Sequence, residues 1–65
     1  MSYKLMLKGI RVSRGLTQKN MANLVNMSES AYVRKENEKS HFTVNEAMRV
    51  ARVLDVKLET IFLVN

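Results

Sequence analysis

The charged side chains of this 65-residue sequence are unevenly distributed along it. Residues 1–28 contain five basic side chains and no acidic one, whereas residues 29–65 contain six of each kind. The basic residues of the first segment are Lys4, Lys8, Arg11, Arg14 and Lys19. A cationic half beside a neutral half indicates a polyanion bound on one side of the molecule. The alternative is a basic, solvated surface that only aids solubility, and charge alone leaves both open.

Side chains that could perform catalysis or hold a metal are scarce. The sequence has no cysteine and a single histidine, His41, so neither a thiolate site nor a histidine-rich metal site can form. No nucleophile is matched with a base and an orienting group, and neither glycine belongs to a glycine-rich phosphate loop. His41 is interpreted as a structural or solvent-facing loop residue, and the five methionines as core residues. The sequence therefore predicts no enzyme, no metal, no cofactor and no small-molecule substrate.

The length of the chain allows one hydrophobic core. We therefore predict a single domain over residues 1–65. No apolar run approaches the roughly 20 residues of a membrane-spanning helix. The N-terminus also lacks the apolar stretch of a secretory signal. We expect no membrane partner.

Apolar residues recur with helical spacing along almost the whole chain, and proline is absent. The pattern predicts a compact all-α fold of five short helices, over about 3–14, 18–25, 29–36, 44–54 and 58–63. A strand over 61–64 is an alternative for the last of them. Thr43 and Glu46 form a capping box that opens the fourth helix. Its inward stripe is predicted to be Val44, Ala47, Met48, Ala51 and Leu54.

Cap and turn residues separate the first three helices. Gly15 is placed to end the first helix in the left-handed conformation. Thr17 and Ser28 have the hydroxyl that an N-cap needs, and Asn26 tolerates a positive φ between them. The second and third helices thus form a two-helix supersecondary unit over about 17–36.

A set of residues spread without gaps from about Leu7 to Phe62 matches a known family pattern. They are Ile10-Arg11, Gly15-Leu16-Thr17-Gln18, Met21-Ala22, Val25, Met27-Ser28, Tyr32, Glu36, Val50-Ala51, Leu54, Val56 and Ile61-Phe62. On these residues the sequence resembles the lambda-repressor-like, Cro/XRE family of helix-turn-helix DNA-binding proteins. The resemblance implies a five-helix fold whose third helix enters the DNA major groove. It also implies a sequence-specific transcriptional repressor or regulator of phage or bacterial type. Because the sequence shows no membrane span and no secretory signal, we expect it to act in the cytoplasm at the nucleoid.

The resemblance implies two sets of DNA-contacting residues. Base edges would be read from the start of the third helix, by Ser28, Glu29, Ser30, Val33 and Arg34. Arg34 can bind guanine in a bidentate manner, Glu29 can accept from cytosine and Val33 can contact a thymine methyl. Alternatively, Glu29 only stabilises the helix N-terminus. Phosphates would be bound by Thr17, Gln18, Lys19, Asn37, Lys39 and Ser40, with the backbone amides near Thr17 and Gln18 facing one phosphate.

Arg11 and Glu36 resemble the family's partly buried ion pair, which joins the first helix to the end of the third. The alternative is two separate, solvated charges. The sequence departs from the family at Glu38, where glycine is common, and at Phe42, where proline is frequent. A carboxylate at position 38 would repel a phosphate. Lys35 is either a further phosphate ligand or a solvated residue.

A single DNA-binding module buries only about 600–1,000 Å² on DNA. We therefore expect a homodimer on double-stranded DNA, reading two half-sites about 34 Å apart. Its contacts are predicted at Leu58, Ile61, Phe62, Leu63 and Val64, unless these residues only complete the core. Two other classes of function remain open. One is an antitoxin-type protein-binding module that also regulates its own operon, and the other is a non-specific nucleic-acid coat protein.

Overall fold

Residues 3–62 are described by the computed structural model, and they form five α-helices and no strand. The helices are α1 (Lys4–Ser13), α2 (Gln18–Leu24), α3 (Glu29–Glu36), α4 (Val44–Leu54) and α5 (Leu58–Ile61). The predicted all-α, five-helix fold is confirmed. Ile61 is helical, so the alternative of a strand beginning at that residue is wrong. Leu63 and Val64 lie outside the described residues.

One hydrophobic core joins all five helices. Its fully buried side chains are Leu7, Met21, Ala22, Val25, Tyr32, Val50, Leu54 and Ile61. Replacing a buried side chain such as Met21 by alanine costs about 2–5 kcal/mol. The core therefore fixes the position of α2 and α3 relative to the rest of the domain.

The inward face of α4 differs from the predicted stripe. Ala47, Ala51 and Leu54 are buried as predicted, but Val44 is 73% and Met48 45% exposed. Val50, which the predicted stripe omits, is fully buried. The buried positions follow the i, i+3, i+4, i+7 spacing from Ala47, so Val44 and Met48 lie outside this face. The interpretation of the methionines as core residues is therefore wrong for Met48, and also for the half-exposed Met6, although Met21 is buried.

The first four helices end in the same way. A residue with positive φ follows each of them: Gly15 (72°), Asn26 (60°), Glu38 (62°) and Asp55 (57°). After α3, the Glu38 amide donates to the Lys35 carbonyl (3.1 Å) and the Lys39 amide to the Arg34 carbonyl (2.8 Å). This pair of bonds defines a Schellman motif, and α1, α2 and α4 have its equivalents. The predicted left-handed residues Gly15 and Asn26 are confirmed. The left-handed conformations of Glu38 and Asp55 were not predicted.

Side chains cap the N-termini of α2, α3 and α4 as predicted. Thr17, Ser28 and Thr43 each accept a hydrogen bond from the backbone amide three residues later, at 3.0, 3.2 and 3.1 Å. The helix α1 has no such local cap. Instead, the distant Glu38 carboxylate accepts the Lys4 amide at 3.0 Å, which supplies an acceptor and a negative charge to that N-terminus.

An aromatic cluster joins the beginning and the end of the described chain. The ring of Tyr3 lies 5.7 Å from that of Phe42 and 5.1 Å from that of Phe62. Tyr32 contacts the cluster from α3, with its ring 5.9 Å from that of Phe42. Within residues 3–62, no helix has the length and apolar character needed to span a membrane.

Candidate nucleic-acid interface

A buried carboxylate joins the three helices that surround the candidate interface. Glu36, at the end of α3, is 1% exposed. Arg11 of α1 binds it with two nitrogens, Nε to Oε2 at 2.7 Å and Nη2 to Oε1 at 3.1 Å. The Tyr32 hydroxyl donates to Oε2 at 2.9 Å, and Gln18 Nε2 of α2 donates to Oε1 at 2.8 Å. Each carboxylate oxygen thus accepts two hydrogen bonds.

The ionisation of this cluster follows from its hydrogen bonds. Burial alone would raise the pKa of Glu36, but donors on Arg11, Gln18 and Tyr32 favour the charged form and hold the pKa below its usual value. Burial raises the pKa of the Tyr32 phenol, and its hydrogen bond to the Glu36 carboxylate raises it further. At neutral pH the cluster therefore contains an ionised Glu36 and a protonated Tyr32.

The cluster fixes the orientation of α3. Arg11 also donates from Nη1 to the Leu16 carbonyl at 2.7 Å, which ties the same side chain to the segment before α2. Removing one partner of a buried ion pair typically costs about 3–5 kcal/mol, because the other charge is left unpaired. The Arg11–Glu36 pair is therefore a buried, bidentate contact and not two solvated charges.

The side chains expected to read bases are mostly exposed on α3. Glu29, Ser30 and Arg34 are exposed, and Val33 is half-buried. Ser28 is exposed too, but its hydroxyl oxygen accepts the Ala31 amide as the N-cap. Four of the five expected side chains are therefore exposed, and three of them lie on a helix whose inner face the cluster holds.

Some of the residues expected to bind phosphate are exposed, whereas others already form hydrogen bonds within the protein. Lys19 and Lys39 are exposed, and Ser40 is half-buried. The Thr17 amide donates to Asn20 Oδ1 at 3.0 Å, which completes a capping box, so this one amide of the expected group has an intramolecular acceptor. The Asn37 side-chain amide donates to the Val33 carbonyl at 2.9 Å and thereby caps the end of α3.

Two further charged side chains have partners that the sequence did not reveal. Lys35 Nζ lies 2.6 Å from Glu46 Oε1, so Lys35 forms an ion pair and is not simply solvated. The Glu38 carboxylate, which we expected close to a phosphate, accepts the Lys4 amide at the start of α1. Local sequence carries no signal for either contact, because the two partners of each are far apart in the sequence.

Two of the apolar C-terminal residues, Leu58 and Phe62, line a cleft beside the start of α4. Leu58, Phe62 and Val44 border an open, mainly apolar cleft of about 240 Å³. Ile61 is only 2% exposed and contacts the protomer's own core. The expectation that Ile61 contacts a second copy is therefore wrong, because its side chain is already buried.

The described part of the chain contains no group of three or more side chains that could hold a metal ion. His41 is exposed in the loop before α4, as one of its two interpretations expected.

Comparison with known proteins identifies one relationship. A family model described as helix-turn-helix matches residues 7–61, a span that contains most of α1 and all of the other four helices. No curated protein and no solved structure shows a significant match to the chain.

Proposed function

Because this chain belongs to the Cro/XRE-type helix-turn-helix family of DNA-binding transcription regulators, we propose that it represses transcription by binding a specific DNA sequence. The observation that supports this proposal is that α3 is fixed on its inner side and exposed on its outer side. Its inner face is held by the buried Glu36, while Glu29, Ser30 and Arg34 remain exposed. A helix held in this way can present a fixed set of donors and acceptors to the major groove.

The proposed base contacts use complementary chemistry. Arg34 donates to guanine O6 and N7, and Glu29 accepts from cytosine N4. Val33 contacts a thymine methyl, with Ser28 and Ser30 as adaptable hydroxyls beside them. A bidentate pair of this kind contributes about 1–3 kcal/mol of discrimination against the wrong base.

The proposed phosphate contacts flank α3. Lys19 and Gln18 lie in the first turn of α2, and Lys39 and Ser40 follow α3. Asn37 and Thr17 contribute through the groups that their capping bonds leave unused. Such contacts fix the register of the protein on the duplex without reading its sequence.

We also propose that two copies bind together. The domain measures 29 × 23 × 19 Å, so two copies fit side by side on half-sites separated by about 34 Å, one turn of DNA. Val44, Leu58 and Phe62 around the apolar cleft are the proposed contact. Leu63 and Val64 extend it outside the described residues. A regulator of this kind acts on DNA in the cytoplasm.

The decisive experiment measures binding to the DNA upstream of the protein's own gene and to a random duplex of equal length, at two salt concentrations. We expect the affinity for both duplexes to fall as the salt concentration rises. Protein binding releases cations condensed on the DNA, and this release becomes less favourable at higher salt. The ratio of the two affinities should remain well above one. A ratio near one would instead indicate the non-specific coat protein and overturn the proposal.

A further inference from the structure

We infer that the buried Glu36 is a positioning residue for DNA binding, and that it acts by orienting the side-chain amide of Gln18. This inference rests on the proposed function, because it assigns a role within the same DNA-binding surface. Glu36 itself is 1% exposed, so it does not touch DNA.

The charge of Glu36 determines which way the Gln18 amide points. An ionised carboxylate can only accept hydrogen bonds, and its pKa is held below the usual value. The Gln18 group that meets Oε1 at 2.8 Å must therefore be the NH₂ nitrogen and not the carbonyl oxygen. A neutral amide at position 36 would allow either orientation.

The carboxylate is itself firmly held. Oε2 accepts from Arg11 Nε and Tyr32 OH, while Oε1 accepts from Arg11 Nη2 as well as from Gln18. Gln18 thus hydrogen-bonds to an acceptor fixed by α1 and α3. Among the described residues, Glu36 is the hydrogen-bond partner of the Gln18 side chain.

The consequence for binding is preorganisation. A primary amide has two N–H donors, and one of them is used by Glu36. The second is held in a defined direction in the first turn of α2, at the edge of the proposed interface. Lys19, the next residue, is exposed and must be ordered by the DNA itself.

A variant that removes the buried polar groups without leaving a charge unpaired separates positioning from folding. In R11M/Y32F/E36M, apolar side chains of similar length replace the cluster, and the net charge stays at +5 because one base and one acid are lost. R49M/E59M is the control, since it also removes one base and one acid, at exposed positions of α4 and α5 that are not proposed to contact DNA. Denaturant unfolding checks that each variant is folded before its DNA affinity is measured.

We expect the triple variant to bind both specific and random duplexes roughly three- to tenfold more weakly, the factor for ordering one flexible side chain on binding. Q18A should cause a loss at least as large, and Q18A added to the triple variant should cost less affinity than Q18A costs in the wild type. R49M/E59M should bind as the wild type does. A folded triple variant with wild-type affinity would overturn the inference. So would losses of binding free energy from the triple variant and from Q18A that are fully additive when the two are combined.

A measurement on the wild-type protein keeps the inference testable if the triple variant does not fold. Gln18 is the only glutamine in the sequence, so its side-chain amide gives a single pair of glutamine NMR resonances. In the free protein we expect this NH₂ group to be restrained and slow to exchange, unlike the exposed amides of Asn23 and Asn45. If the Gln18 NH₂ group moves and exchanges as freely as those of Asn23 and Asn45, the inference is overturned.

The two failures are distinguishable. Wild-type protein that binds no duplex overturns the proposed function and the role of Glu36 with it. Wild-type protein that prefers its own DNA, while the folded triple variant binds equally well, overturns the role of Glu36 alone.

Discussion

Lys35 of α3 and Glu46 of α4 form an ion pair with 2.6 Å between Nζ and Oε1. The same Glu46 oxygen accepts the Thr43 amide at 2.9 Å, and the Lys35 carbonyl accepts the Tyr3 hydroxyl at 2.8 Å. The C-terminal half of α3 is thus held by α4 and by the segment before α1, in addition to the buried Glu36. Its first turn, which holds the proposed base-reading residues Glu29 and Ser30, carries no comparable ion pair within the described chain.

These carboxylates predict an acid-sensitive fold. Hydrogen bonds from Lys35 and from the Thr43 amide lower the pKa of Glu46, and that of Glu36 is lowered too. A lowered pKa stabilises the folded state above the unfolded value near 4.5, and this contribution is lost as the pH falls through the folded pKa. Urea unfolding should give a free energy that is nearly constant from pH 7 to about 5 and falls below that.

The variant E46Q tests the source of this acid sensitivity. It should be less stable at pH 7 and should lose less stability on acidification than the wild type. E59Q, at an exposed glutamate of α5, is the matched control and should leave the pH profile unchanged. Equal slopes for E46Q and the wild type would contradict the assignment.

The two glycines predict opposite effects of the same substitution. A Cβ added at Gly9 or at Gly15 meets no atom within 4 Å, so space does not distinguish them. Gly9 lies inside α1, where alanine should stabilise by about 0.5–1 kcal/mol. Gly15 has a φ of 72°, so alanine there should destabilise by about 1–2 kcal/mol. Thermal unfolding of G9A and G15A measures both, and changes of the same sign would contradict the argument.

Arg34→Ala should relax the choice of base at one position of the binding site. The expected loss is about 1–3 kcal/mol on the best sequence and much less on sequences altered at that position. Arg49→Ala, at an exposed arginine of α4, removes the same charge and should not change base preference. Affinities for a set of single-base variants of the site measure the difference. An equal loss on every sequence would reassign Arg34 to a phosphate.

Val44→Glu should weaken association of two copies. Val44 is 73% exposed and borders the apolar cleft, so a carboxylate there disturbs the proposed contact without opening the core. Leu5→Glu on α1, where the leucine is 79% exposed, is the matched control. Sedimentation analysis with and without DNA should show weaker assembly for V44E only. Unchanged assembly of V44E would place the dimer contact elsewhere.

The parts of the structure governed by local chemistry could be predicted from the sequence. The caps at Thr17, Ser28 and Thr43 and the left-handed residue Gly15 depend on neighbours within a few positions. Glu38 was not predicted as left-handed, because glutamate seldom adopts that conformation and its distant contact with the Lys4 amide is invisible locally. The glycine common at this position in the family was the available signal.

In the candidate site, too, the contacts that depend on how helices pack could not be predicted from local sequence. The resemblance placed Glu36 and Gln18 on different helices, but their 2.8 Å contact depends on how three helices assemble. Ile61 was expected at a surface because its segment is apolar, and helical spacing alone does not distinguish a core residue from a contact residue in so short a helix. Its burial follows from the packing of α5 on α4.

The contact between Tyr3 and Phe62 has a topological consequence. With ring centroids 5.1 Å apart, the side chains at the two ends of the described chain are in contact, which holds positions 3 and 62 near each other. A peptide of a few residues could join positions 3 and 62 into a circle, and closing so short a gap adds little entropy cost in the folded state. A circularly permuted domain, opened at an exposed turn such as the one after α2, would therefore retain the same five helices in the same arrangement.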